Sequence, residues 1–144
     1  MVRTWAMELK KAGITANAVI PVAATAMTAT VPYFAAAVEA DAAGEPMPAF
    51  FRREIGFGSA KDVAGLITYL ASDAAADITG QAIGVGGDRL QVWSHPEPVL
   101  TAFHDNGWTA DDLIAEFNGD LAGNLQSVGE KFPALPEDLV REAK

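Results

Sequence analysis

The sequence predicts an α/β fold: a parallel sheet flanked by helices, with a tail of short helices after it. Three observations predict it. Ile14 to Ile20 is almost continuously apolar and rich in β-branched residues, which reads as a strand buried on both faces. Ala82 to Val85 is a second short apolar run closed by Gly86-Gly87-Asp88. Between them, Val63, Leu66, Ile67 and Leu70 repeat at helical spacing. Two strands joined through helical sequence imply a parallel crossover. The 144 residues suffice for one ordinary domain.

Taken in order, Met1 to Ala12 reads as a helix with an apolar stripe of Val2, Trp5, Ala6 and Leu9. Lys10 and Lys11 suit its last turn, and Gly13 suits the left-handed position that closes it. Pro21 ends the first strand, and a small-residue loop follows to Thr28. Ala26 to Ala43 is alanine-rich and expected to be helical, Gly44 to Pro48 turns, and the apolar pair Phe50-Phe51 precedes Arg52-Arg53. Ser59 with Asp62 three positions on forms a capping pattern for the clearest helix, which ends near Ser72-Asp73. Ser94 with Glu97 and Thr109 with Asp112 are two more such patterns and predict two further helices. Leu135 to Asp138 predicts a last helical turn. The expected boundaries are 1–90 for the α/β part and 91–144 for a helical C-terminal extension.

Composition excludes several functions. With 19 acidic against 10 basic residues the net charge is −9, and the bases never cluster beyond pairs, so no nucleic-acid partner is expected. No apolar run reaches the ~20 residues of a membrane helix, and no membrane association is expected. There are no cysteines, so neither thiolate chemistry nor disulfides are available, and a cytoplasmic location fits. His95 and His104 alone give a histidine metal centre little to build on, so no metal is expected. Gly56-Phe57-Gly58-Ser59-Ala60-Lys61 has glycines before a helix but not the spacing of a phosphate loop, and reads as a loop plus a cap.

Two stretches carry a family resemblance: Gly13-Ile14-Thr15-Ala16-Asn17-Ala18-Val19-Ile20-Pro21, and the run from Asp62-Val63-Ala64 through Leu70-Ala71-Ser72-Asp73 to Ile78-Thr79-Gly80-Gln81 and Gly86-Gly87. Over about residues 1 to 90 the chain resembles the C-terminal half of a short-chain dehydrogenase/reductase. The implied fold is the C-terminal part of a Rossmann-like doubly wound parallel sheet, contributing its last two strands and flanking helices. Pro21-Val22-Ala23-Ala24-Thr25-Ala26-Met27-Thr28 is similar to the hydroxyacyl-CoA dehydrogenase units of peroxisomal multifunctional enzymes and their bacterial relatives, as are Trp108 to Asp111 and Ser127 to Glu130.

The resemblance implies an NAD(P)-dependent oxidoreductase of 3-hydroxyacyl or 3-oxoacyl thioesters, in fatty acid metabolism. It places Pro21, Val22, Ala24 and Thr25 beside the nicotinamide of NAD or NADP, Val22 and Ala24 through main-chain N–H groups and Thr25 through its hydroxyl. Tyr33, Phe34, Met47, Phe50 and Phe51 belong to a lid, where they line an acyl pocket or pack the lid on the core. No glycine-rich Thr-Gly-x-x-x-Gly-x-Gly turn is expected to cradle a pyrophosphate here. Neither Tyr33 nor Tyr69 has a lysine four residues on, those positions being Ala37 and Asp73, so no catalytic residue is assigned. Isolated, the chain is expected to be inactive. The competing expectation is a non-enzymatic module that docks on a full-length relative or self-associates as a homo-oligomer, because two-sided apolar strands need neighbours.

Overall fold

A computed structural model describes residues 1–126 and 132–140. The similarity noted at Ser127 to Glu130 lies outside the described residues. Contacts divide the chain into two compact units, one of Met1–Ser94 with Phe132–Lys144 and the other His95–Lys131.

In the first unit, helix α1 (Val2–Leu9) runs on as a 3-10 turn, Lys10–Ala12, and closes at Gly13 with φ 68°. Of its predicted stripe only Ala6 is buried, seated against the loop at Gly80, while Trp5 stays 48% exposed. Strand β1 (Ala18–Pro21) is shorter than expected and includes the proline. Residues 14–17 are held instead by side chains: Asn17 donates to the Ile78 carbonyl at 2.7 Å and accepts from Gln81 N–H at 3.0 Å, while Thr79 Oγ1 accepts from Ala16 N–H.

Among the described residues the sheet has three strands in the order β1-β2-β3, not two. Strand β2 (Ala82–Gly86) pairs parallel with β1, Ala18 opposite Ala82 through Pro21 opposite Val85. Strand β3 (Arg89–Trp93) pairs antiparallel with β2, turning back through Gly87-Asp88, so the sheet is mixed. Among the described residues β1 has a strand on one side only, and Ile20 and Pro21 are exposed, which corrects the expectation of two-sided burial.

The predicted helix over Ala26 to Ala43 is broken. Two 3-10 turns, Thr28–Thr30 and Pro32–Phe34, precede helix α2 (Ala35–Ala43), because Pro32 cannot donate and restrains the residue before it. A π-helical turn, Phe51–Ile55, then leads to helix α3 (Ala60–Leu70), which packs on β2. The core lies here: Phe34, Ala36, Ala37, Met47, Phe51, Ile55 and Phe57 form one buried cluster.

In the second unit, helix α4 (Ala110–Asn118) starts where Thr109 and Asp112 cap it. The helix predicted after Ser94 does not form. Pro96 and Pro98 push His95 and Glu97 away from helical backbone angles, and that outweighs the capping pattern.

Candidate functional site

Three stretches of main chain converge beyond the ends of β1 and β2: Val22 to Thr25, Gly56 to Ser59 and Gly86 to Asp88. Ala23 and Gly58 form a parallel bridge, and Ala24 N–H donates to the Gly58 carbonyl at 2.7 Å. The approach is too close for side chains. A Cβ on Gly86 would lie 2.2 Å from the Gly56 carbonyl oxygen and 2.3 Å from that of Val22. On Gly58 it would lie 2.5 Å from the Gly87 nitrogen. Glycine is required there because backbone meets backbone.

A polar clamp closes the junction from outside. The Arg52 guanidinium reaches Asp88 at 2.7 Å and Asp62 at 3.1 Å. Asp62 also accepts the Ser59 N–H at 2.8 Å, which supports the cap reading of this loop. Hydrogen bonds to Asp62 and then to Asp88 hold the Arg52 pKa above its ordinary value. Arg89 reaches back to the carbonyls of Glu54, at 3.0 Å, and Ile55. Apart from the Ser59–Asp62 cap, these contacts are not predicted by the sequence, their partners lying 10 to 36 positions apart.

The four loop residues assigned to cofactor sit together at this junction. Pro21 is the last residue of β1. The Val22 N–H donates to the Val85 carbonyl at 3.0 Å and the Ala24 N–H to Gly58, so both main-chain donors are directed into the fold. Thr25 is engaged with Thr28, whose hydroxyl accepts the Thr25 N–H at 2.8 Å. Thr79, Gly80, Gly84 and Gly86 do carry the spacing Thr-Gly-x-x-x-Gly-x-Gly. Here, however, Ala82–Gly86 is strand β2 and a strand follows it, so these glycines form no turn before a helix and offer no bed of helical N–H groups. The residues of this chain do not on their own fit a dinucleotide.

The five residues expected to form a lid also come together, as packing. Phe34, Met47 and Phe51 are buried, with Tyr33 and Phe50 against them. Phe34 stacks on Phe57 at 4.5 Å, Phe57 being fully buried and unassigned from sequence. The open groove nearby, about 430 Å³, lies between Asp41, Glu45, Arg52 and Lys61 and takes only Met47 from the five. Tyr33 donates its hydroxyl to the Pro133 carbonyl at 2.8 Å, and burial raises its pKa.

In the second unit, His104 Nδ1 lies 2.8 Å from the Gly107 carbonyl oxygen and Nε2 lies 3.7 Å from Asp112. Among the described residues no cluster of histidine and carboxylate is placed to hold a metal, and no helix is long and apolar enough to cross a membrane.

The family model for enoyl-(acyl carrier protein) reductase matches residues 1–87, from α1 through the β2–β3 turn. Hydroxyacyl-CoA dehydrogenase ChsB1 of Mycobacterium tuberculosis is 34% identical over 139 residues, a match covering 95% of this chain and 38% of the relative. The chain thus spans about 38% of the length of the curated relative it matches. Nicotinamide cofactors are general among such enzymes. With the loop, the capped helix and the glycine junction inside the matched region, the chain belongs to the short-chain dehydrogenase/reductase family.

Proposed function

We propose that this chain supplies the lid and nicotinamide-side loop of an NAD(P)-dependent oxidoreductase acting on 3-hydroxyacyl or 3-oxoacyl thioesters, as the C-terminal part of a Rossmann-like domain. The match to a hydroxyacyl-CoA dehydrogenase carries this reading, because it extends past the family region through the tail. The chain's own part is to fix the wall on which substrate lies and to hold the Val22 to Thr28 loop rigid through the glycine junction. The proton relay and the phosphate cradle come from residues outside these 144.

The purified chain, given NADH or NADPH and acetoacetyl-CoA, is expected to show no oxidation of reduced cofactor. Mixed with a separately expressed N-terminal segment of a full-length relative, bearing the glycine-rich turn and the Tyr-x-x-x-Lys, it is expected to restore turnover. Turnover by the chain alone, or none in a mixture that forms a complex, overturns the reading.

One observation favours a second reading, a non-enzymatic assembly module. Strand β1 has a free edge among the described residues, and exposed Trp5, Ile14 and Ile20 lie on α1, in the following segment and on β1. An uncovered edge with apolar neighbours invites a strand from another chain. Size-exclusion chromatography with light scattering tests it: a dimer or larger assembly is expected, and a monomer removes the motive.

A further inference from the structure

The segment Phe132–Leu139 returns to the first unit and lies on the lid aromatics. The Phe132 ring stacks on Tyr33 at 4.9 Å and meets Phe34 edge-on at 5.5 Å. Leu135 and Leu139 pack against the same cluster, and the Pro133 carbonyl accepts the Tyr33 hydroxyl at 2.8 Å. The segment therefore presents an apolar side chain next to a carbonyl oxygen. An acyl thioester has those same two features in the same succession.

We propose that Phe132–Leu139 is a resident plug on an acyl-binding surface formed by Tyr33, Phe34 and Phe51, and that an acyl thioester displaces it. The proposal rests on the acyl-thioester reading above. The wall is built for such a ligand: Tyr33 meets Phe51 edge-on at 6.0 Å and Phe34 at 5.1 Å, giving a fixed aromatic face with one hydroxyl at its rim. Burial favours the neutral phenol, the form that donates to a carbonyl.

The plug is also lightly held. Phe132 remains 43% exposed, and Leu135 and Leu139 are half-buried. Among the described residues its backbone bonds are local, Leu139 N–H to Pro136 and Val140 N–H to Glu137, apart from the one bond from Tyr33. A surface occupied in cis binds a ligand with its intrinsic affinity reduced by the fraction of time it is open, so loosening the plug tightens binding.

Isothermal titration of the full 144-residue chain with dodecanoyl-CoA tests this. Phe132→Ala removes the stacked ring, and Leu139→Ala loosens the far end of the segment. Each is expected to tighten binding, Phe132→Ala by about three- to tenfold, the range an aromatic pair supports. In the wild-type chain, hydrogen exchange of the Leu139 and Val140 amides is expected to speed up when dodecanoyl-CoA is added. Unchanged or weaker binding by both variants overturns the proposal, as does unchanged or slower exchange at those amides. Absence of binding to every form also overturns it. The oxidoreductase reading stands or falls separately, on turnover in the two-segment mixture.

Discussion

Arg52 and Asp88 hold each other from both ends: the guanidinium reaches the carboxylate at 2.7 Å, while the Asp88 N–H donates to the Arg52 carbonyl at 3.0 Å. The pair ties the π-helical turn to the β2–β3 hairpin. The same guanidinium holds Asp62 at the start of α3, so one side chain fastens three elements.

Arg52→Met is therefore expected to lower stability by about 1 to 3 kcal/mol, the range for partly exposed hydrogen bonds to charged groups. Arg52→Lys should recover less than half of that, since an ammonium lacks the planar fork that serves two carboxylates at once. Urea unfolding of the three proteins measures both values. Equal stability of wild type and Arg52→Met would show the clamp to be idle.

Gly86→Ala puts a methyl group into two carbonyl oxygens at about van der Waals overlap, and neither backbone can yield without moving the Val22 loop. A loss of ~3 kcal/mol or more is expected. Gly123→Ala, where an added Cβ meets nothing within 4 Å, should stay within about 0.5 kcal/mol of wild type. Thermal melting of the two variants side by side gives the contrast, and similar melting points would contradict the close approach.

Phe57→Ala empties a fully buried position stacked on Phe34 and is expected to cost about 3 to 5 kcal/mol. Phe50→Ala, at the partly exposed edge of the same cluster, should cost clearly less. Denaturant midpoints order the two. If Phe50→Ala proved the more damaging, the core would not lie where the rings place it.

Helix α4 should respond to acid through its cap. The Thr109 hydroxyl and then the Thr109 N–H hold the Asp112 carboxylate below its usual range. A lowered folded-state pKa means the stabilisation is present above the unfolded value and is lost as pH falls through the folded one. Exchange at the Leu113 amide, corrected for intrinsic rates, is expected to accelerate as pH drops below the ordinary aspartate range. Asp112→Asn should abolish that acid step. A wild-type profile flat across the window would remove the carboxylate from the cap.

Much of this was legible locally. The Thr109 and Ser59 capping patterns marked α4 and α3 because capping depends on residues three positions apart. Gly13 marked the end of the first helical segment for a similarly local reason. Strand β3 has a local signal too: Gly87-Asp88 is a two-residue hairpin loop, and Leu90 and Val92 alternate with polar Arg89 and Gln91. The Arg52 clamp was not readable, since its partners lie 10 and 36 positions away. The contact of Phe132–Leu139 with Tyr33 was beyond local pattern for the same reason, the Tyr33–Pro133 hydrogen bond crossing 100 positions.

The Asn17 contacts with Ile78 and Gln81 have a kinetic consequence. They fix the alignment of β1 with β2 by closing chain segments of 61 to 64 positions, a search that favours slow, cooperative folding. Once closed, such a loop is insensitive to its own length, each doubling costing only ~0.6 kcal/mol. The segment between the two strands can therefore vary in length at little loop-closure cost, so long as buried Phe34, Phe51 and Phe57 keep their packing. Its ends are held by Asn17 on one side and the glycine junction on the other.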